Sequence, residues 1–400
     1  MSGKALEGVK VLEYAGFVSG PYCSKLLADL GAEVIKIEKP EAGDEARKRG
    51  PFPGDIPHPE KSGLFLYLNT NKLGVTLDPE TTTGKGIFLE LVKWADILIE
   101  DKSPKKVEEL GFSYESLKEI NPRLIMTSIT PFGEFGPYRD YKGYHLNVVH
   151  ASGSGYLLPT STNLEREPLK AGGHFDDCSC GLSAAIATLG ALYWRGATGS
   201  GQHIDCSKQD MIMDLEKVMI TIYANADAIS SRVPVSSVMG MCNLPCTDGY
   251  IMFAYMMKSH LMGLFDAMGN PEYLEKFRDD DYRDEHIQEF QNHIAEWARN
   301  GTREELYNEA QKRGVPTGIV RSTEEVLAWE QPKAREFFVE VNHPEAGRVK
   351  YPTAAYRLSG TPVAIDHPAP LLGEHNEEVY CERLGYTRQD LVKMKEAGVI

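Results

Sequence analysis

Residues 9–38 constrain the fold more tightly than any other stretch. An apolar run from Val9 to Tyr14 is followed by a glycine-containing turn from Gly16 to Gly20. A helical stretch from Tyr22 to Leu30 then ends at Gly31, and a second apolar run extends from Glu33 to Glu38. Runs of this length read as buried strands, while Pro21 suits a first helical position and Gly31 a helix stop. Strands joined through a helix pair in parallel, because only a long crossover returns the chain to the same edge. The same logic recurs downstream. Gly84–Ala95 predicts a helix leading into a strand at Asp96–Glu100, and Tyr114–Ile120 predicts another, leading through Asn121 and Pro122 into Leu124–Thr127. The expected class is α/β, with a large doubly wound, Rossmann-like lobe.

A chain of 400 residues exceeds one ordinary domain of ~150 residues, so a second, smaller lobe is expected. Between about 220 and 325 the texture changes to Met, Tyr and clustered charge, with helical patterns from Leu261 to Arg313. The expectation is a large domain of residues 1–215 plus 330–400 and a small domain of 220–325. Forty-three basic against 58 acidic residues leave a net charge of −15, which disfavours nucleic acid and anionic membrane as partners. The longest nearly apolar stretch, Gly181 to Trp194, is short of the ~18 residues that span a bilayer. With the polar start running straight into a strand, a cytoplasmic protein without a signal peptide is expected.

Nucleotide motifs do not materialise. Gly16-Phe-Val-Ser-Gly20 lacks the G-x-G-x-x-G spacing that brings backbone against a pyrophosphate, and neither Gly84-Lys85 nor Gly199-Ser-Gly201 completes a P-loop. The seven cysteines are expected to be reduced. Cys178 with Cys180, and Cys242 with Cys246, lack metal-pair spacing, and His174 does not complete a four-ligand set, so no metal is expected.

Chemistry concentrates after His174. From Gly181 a small-residue helix suited to close packing runs to Arg195, with Asp176 and Asp177 at its N-terminus. Two readings stand side by side. Aspartate is a preferred N-cap worth ~1 kcal/mol, and needs no further purpose. Alternatively, a helix N-terminus keeps a carboxylate ionised and offers N–H donors to a developing oxyanion, as a nucleophile requires. After the helix, Thr198-Gly-Ser-Gly-Gln202 turns into the strand His203–Ser207.

In these residues the chain resembles the family III CoA-transferases, the group of carnitine and formyl-CoA transferases. The likeness includes Gly8–Leu12, Gly20-Pro21, Gly31–Glu38, Asn71-Lys72, Ala95–Glu100, Asn121–Leu124, Phe132-Gly133, Gly136-Pro137, Asp248–Tyr250, Gly360–Pro362 and Leu372–His375, in order along nearly the whole chain. The resemblance implies that Asp177, four residues before Gly181, is the nucleophile, and leaves Asp176 as a cap or a tuning charge. Cys178 is the rival nucleophile. For CoA the resemblance implies contacts from Val18 and Ser19 in the first turn, Lys39 after the second strand, and Leu77. It also implies Asp101, Lys102 and Ser103, and the loop Lys142, Gly143, Tyr144 and His145 along the pantetheine. Glu109 replaces a usual basic residue, leaving Lys102, Lys105 or Lys106 for the phosphates. Formyl-CoA members carry Gln where Val18 stands, which argues against formate and oxalate.

The implied reaction moves CoA from an acyl-CoA donor to a small carboxylic acid, through an aspartyl anhydride and an aspartyl-CoA thioester. It needs no cofactor beyond CoA itself as substrate. An interlocked homodimer is implied as well. The same family includes α-methylacyl-CoA racemases, whose His-Asp pair is Tyr144-His145 here, leaving that chemistry without its expected base; an inactive CoA-binding protein is the other alternative. Tyr255, Met256 and Met257 suit either a bulkier, partly apolar acid or the core of the small lobe.

Overall fold

The computed structural model describes residues 3–159, 165–230, 232 and 240–400. The chain divides into two units, Met1–Arg232 with Glu336–Ile400, and Val233–Arg335.

In the first unit six strands pair in parallel: β1 (Lys10–Tyr14), β2 (Glu33–Glu38), β3 (Lys72–Thr76), β4 (Ile97–Glu100), β5 (Ile125–Thr130) and β6 (His203–Ser207). Their order, β3-β2-β1-β4-β5-β6, is doubly wound and reverses between β1 and β4. At such a reversal a crevice opens beyond the carboxyl ends of the strands. Both faces are covered, so the strands read as nearly continuous apolar runs. Leu12, Ile35, Val75 and Leu98 pack on one face against Phe88 and Leu91 of the helix Thr82–Trp94. Val11, Val34, Ile97 and Ile99 pack on the other, against Cys23 and Leu27 of α1 (Ser19–Asp29) and Ala184 and Ala185 of a long helix described below. β3 carries no clear sequence signal, because Lys72 and Gly74 interrupt it. Tertiary structure resolves both. Lys72 is fully buried against Glu13 at 2.8 Å, and a Cβ on Gly74 would stand 2.7 Å from Pro370.

Three further helices matter for chemistry: α2 (His145–Ala151), α3 (Phe175–Thr198) and α4 (Lys208–Leu215). α1 crosses α3 at Gly181, where a Cβ would lie 2.5 Å from the Ser19 carbonyl oxygen. Only glycine permits that approach, and it brings the head of α1 against the head of α3.

A buried ion network ties β1, β2 and β3 together. Lys36 bridges Glu13 and Asp44, each at 2.8 Å, and Arg47 binds Glu38 at 2.7 Å. Burial pushes the Glu13 carboxyl up, but the adjacent Lys36 and Lys72 ammonium groups outweigh it and hold the group below the usual range. Asp44 in turn accepts the Phe17 N–H at 2.9 Å, fixing Phe17 at φ +62°, a left-handed conformation uncommon for a non-glycine residue. The network therefore sets the turn that presents Ser19.

The second unit has an antiparallel sheet of β7 (Gly240–Cys246), β8 (Gly249–Tyr255) and β9 (Thr317–Ile319), in that order. Its core gathers Phe253, Tyr255, Phe265, Phe277 and Phe290, with helices at Lys258–Ala267, Ile287–Arg299 and Arg303–Lys312. Tyr255 is thus a core residue, whereas Met256 and Met257 are exposed. The Cys242 side chain lies outside the described residues. The described cysteines are unpaired.

Candidate active site

Asp176 and Asp177 sit inside the first turn of α3, which begins at Phe175, six residues before Gly181. The N-cap position belongs to His174, and no side chain caps this end. The reading of the aspartates as N-caps is therefore corrected. They are free to use their carboxylates elsewhere, and their charges still favour the positive end of the helix dipole.

Four helix N-termini meet at this point. α1 follows β1 and supplies Ser19, whose hydroxyl donates to Asp177 Oδ1 at 3.3 Å. α4 follows β6 and supplies Lys208, whose Nζ lies 3.2 Å from the same oxygen. Ser207 caps α4 by accepting the Asp210 N–H, which fixes where Lys208 leaves the backbone. His174 places Nδ1 3.4 Å from Asp177 Oδ2, and its ring meets Phe17 edge-on at 5.1 Å. α2 begins with His145, whose Nε2 lies 2.9 Å from Asp176 Oδ2 while Nδ1 faces Asp177 Oδ2 at 3.6 Å. Asp176 and Asp177 are 5% and 3% exposed.

Burial alone would raise the Asp177 pKa. The Lys208 ammonium and then His145, with hydrogen bonds from Lys208 and His174, outweigh it and hold the carboxyl below the usual range. Asp177 is thus an anion at neutral pH. Its ionisation contributes stability above the ordinary carboxylate range, which is lost as pH falls through the lower folded pKa. Lys208→Met removes the leading lowering cause, so the acidic limb of kcat/KM is expected to move to higher pH. Loss of a charge-assisted hydrogen bond of ~2 kcal/mol is expected to reduce the rate at neutral pH by about tenfold or more. An acidic limb unchanged in this variant overturns the assignment of Lys208 to that carboxylate. The rival thiol fares differently: burial, and then the Asp177 charge, pushes Cys178 up to about 11.

The remaining expected site residues scatter around this centre. Val18 is buried at the start of α1, and Leu77 is buried after β3. Lys39 is exposed and lines a cavity of about 690 Å³ with Thr76, Asp78, Asn376 and Lys395. Asp101 accepts the Gly16 N–H at 2.8 Å and pairs with Lys102 at 2.9 Å, so it braces the first turn. Ser103 caps the helix Pro104–Leu110, Lys106 pairs with Glu80 at 2.8 Å, and Lys105 is exposed. Lys142 is exposed, as is Tyr144 at 75%, and Gly143 lets the loop pass Pro131 where a Cβ would stand 2.7 Å from that ring. His145 alone of this loop reaches the aspartates. Lys208 and the contact role of His174 carried no sequence signal of their own, since nothing local marks them.

A family model described as CoA-transferase family III matches residues 6–376. The chain is 32% identical over 404 residues to the succinyl-CoA–D-citramalate CoA-transferase of Chloroflexus aurantiacus, covering 99% of this chain and 98% of that protein. It is equally 32% identical over 422 residues to a formyl-CoA:oxalate CoA-transferase of Streptomyces coelicolor, covering 100% of both. Among solved structures, a CaiB/BaiF family protein from Brucella suis superposes with a TM-score of 0.82 at 30% identity, over 95% of this chain and 99% of that one.

Proposed function

The chain belongs to CoA-transferase family III, and from that premise we propose that it transfers CoA from a donor acyl-CoA to a small carboxylic acid through covalent intermediates on Asp177. The observation that carries this reading is an ionised, buried carboxylate at a helix head, held by Lys208 and Ser19 through one oxygen. That leaves Oδ2 directed at the two imidazoles and available to attack.

In the first step an Asp177 oxygen adds to the thioester carbonyl, the C–S bond breaks, and CoA leaves as thiolate with a mixed anhydride on Asp177. The thiolate then adds to the Asp177 carboxyl carbon, and the donor acid departs as carboxylate. The acceptor carboxylate repeats these steps in reverse order and regenerates Asp177. No proton is consumed across the cycle, so the residues chiefly balance charge. Lys208 faces the Asp177 oxygen that loses charge and regains it, and the unpaired N–H groups that open a helix are suited to a developing oxyanion. Burial of both aspartates limits water, which would hydrolyse anhydride and thioester alike.

For CoA, the cavity beside Lys39 suits the nucleotide end, with exposed Lys105 and Lys142 available to phosphates. Gly143 would lie along the pantetheine path, whereas Val18 and Ser19 are buried and would back it from behind. A paired assembly of two copies is also supported. Lys217–Ala226 buries none of its side chains yet carries Val218, Ile220 and Tyr223, and α3 exposes Ile186, Tyr193 and Trp194. Apolar patches of this extent mark association surfaces.

One observation favours a second reading. Tyr144 turns outward, but His145 stands beside Asp177, so the site does contain an imidazole–carboxylate pair suited to exchanging a proton α to a thioester. A single assay separates the two. Acyl-CoA donors are incubated with a panel of acids in deuterated water and products are read by mass spectrometry. New thioesters without α-deuterium are expected. Rapid deuterium uptake with no acceptor, and no new thioester, overturns the transferase reading for this site.

A further inference from the structure

We propose that His145, His174 and Asp177 form a binding site for a borderline divalent transition ion, zinc foremost, and that its occupancy reversibly blocks the carboxylate. The regulation rests on the reading of Asp177 as nucleophile; the binding does not.

Three observations carry the inference. The first is spacing. One donor atom from each residue lies within 4.8 Å of the others, and the two imidazole nitrogens stand 3.4 and 3.6 Å from Asp177 Oδ2. Donors held at ~2.0–2.2 Å around a tetrahedral zinc are about 3.3–3.6 Å apart, which both imidazole-to-carboxylate spacings match. The second is the support behind His145. Its far nitrogen, Nε2, is hydrogen-bonded to buried Asp176 at 2.9 Å. A carboxylate behind an imidazole fixes the ring and its tautomer, leaving the lone pair on the nitrogen that faces the metal. The third is charge and access. Lys208 occupies Oδ1 rather than Oδ2, so a cation at Oδ2 need not displace it. Two carboxylates against one ammonium leave the pocket receptive to positive charge, and His174 is one-third exposed, giving a way in.

Two imidazoles with one carboxylate suit zinc and cobalt. Magnesium prefers oxygen ligands in an octahedron and should not compete. Three protein donors leave a fourth position for water, as in catalytic zinc sites.

The test uses the full-length protein after chelator treatment. Cobalt is titrated while its visible d–d absorption is followed, and zinc affinity is measured by competition with a chromogenic chelator. Wild type should bind one ion per chain, undisturbed by millimolar magnesium. His174→Ala is expected to weaken binding by about tenfold or more. Asp176→Asn, which touches no metal donor position directly, is expected to weaken it by about 10- to 100-fold. Circular dichroism confirms that both variants fold. Equal affinity in wild type and both variants overturns the site, as does absence of a cobalt spectrum in wild type. Zinc should also inhibit CoA transfer, with recovery on adding chelator. Stoichiometric binding that leaves transfer untouched overturns the regulation and counts against Asp177 as nucleophile, while the binding site itself stands.

Discussion

Asp177→Ala is expected to lower CoA transfer by on the order of 10³-fold or more, because it removes the carboxyl group whose oxygen and carbon form the covalent bonds of the cycle. The fold should survive. Asp177 lies in the first turn of α3, where alanine is a better helix former than aspartate, and its neighbours Lys208 and His174 are themselves part-exposed and can turn to water. Asp176→Ala is the matched control. It deletes an equally buried carboxylate one residue away, but one that holds His145 rather than facing the reacting carbon. Its expected loss is about tenfold, with Asp176 acting as a positioning residue through His145. Steady-state kinetics on both variants, with thermal melts alongside, decide the matter. Near wild-type turnover in Asp177→Ala removes the central mechanistic claim. If Asp176→Ala were the inactive variant and Asp177→Ala the active one, the nucleophile would be the preceding residue.

The second large effect is chemical capture of the intermediate. Donor acyl-CoA without acceptor should load Asp177 as anhydride and then as CoA thioester. Hydroxylamine should convert that carboxyl to a hydroxamate, and borohydride should reduce it to an alcohol. The modified peptide is expected to map within Ala171–Arg195, on Asp177, at close to one equivalent per active site. Direct exchange within a ternary complex would leave no such mark. A thioester on Cys178 would point to thiol chemistry, but burial and the Asp177 charge hold that thiol protonated well above neutral pH. The Asp177→Ala variant should give no adduct. Unmodified protein under conditions of demonstrated turnover counts against covalent catalysis here.

Much of the architecture is legible because parallel strands and their crossover helices impose local periodicities. Glu33–Glu38 and Tyr114–Ile120 form over the stretches that their patterns predict. Two places fail for local reasons. β3 hides behind a buried lysine and a glycine, each explained only by Glu13 and Pro370 from elsewhere in the chain. The head of α3 starts at Phe175 with no capping side chain, so aspartates taken as its caps place the start too late.

By itself, then, the sequence determines the layers, the α/β class and the small-residue helix that carries Asp177. These follow from spacing within a few turns or strands, which any local window contains. Tertiary structure alone decides what surrounds that carboxylate. Ser19 is 158 residues away in sequence and Lys208 is 31, yet both meet one oxygen of Asp177. His145 looks like one more residue of a substrate loop until the end of β5 carries it onto both aspartates. No periodicity encodes such meetings. They arise because strands from different parts of the chain end at one edge of the sheet, and the helices that follow them begin there.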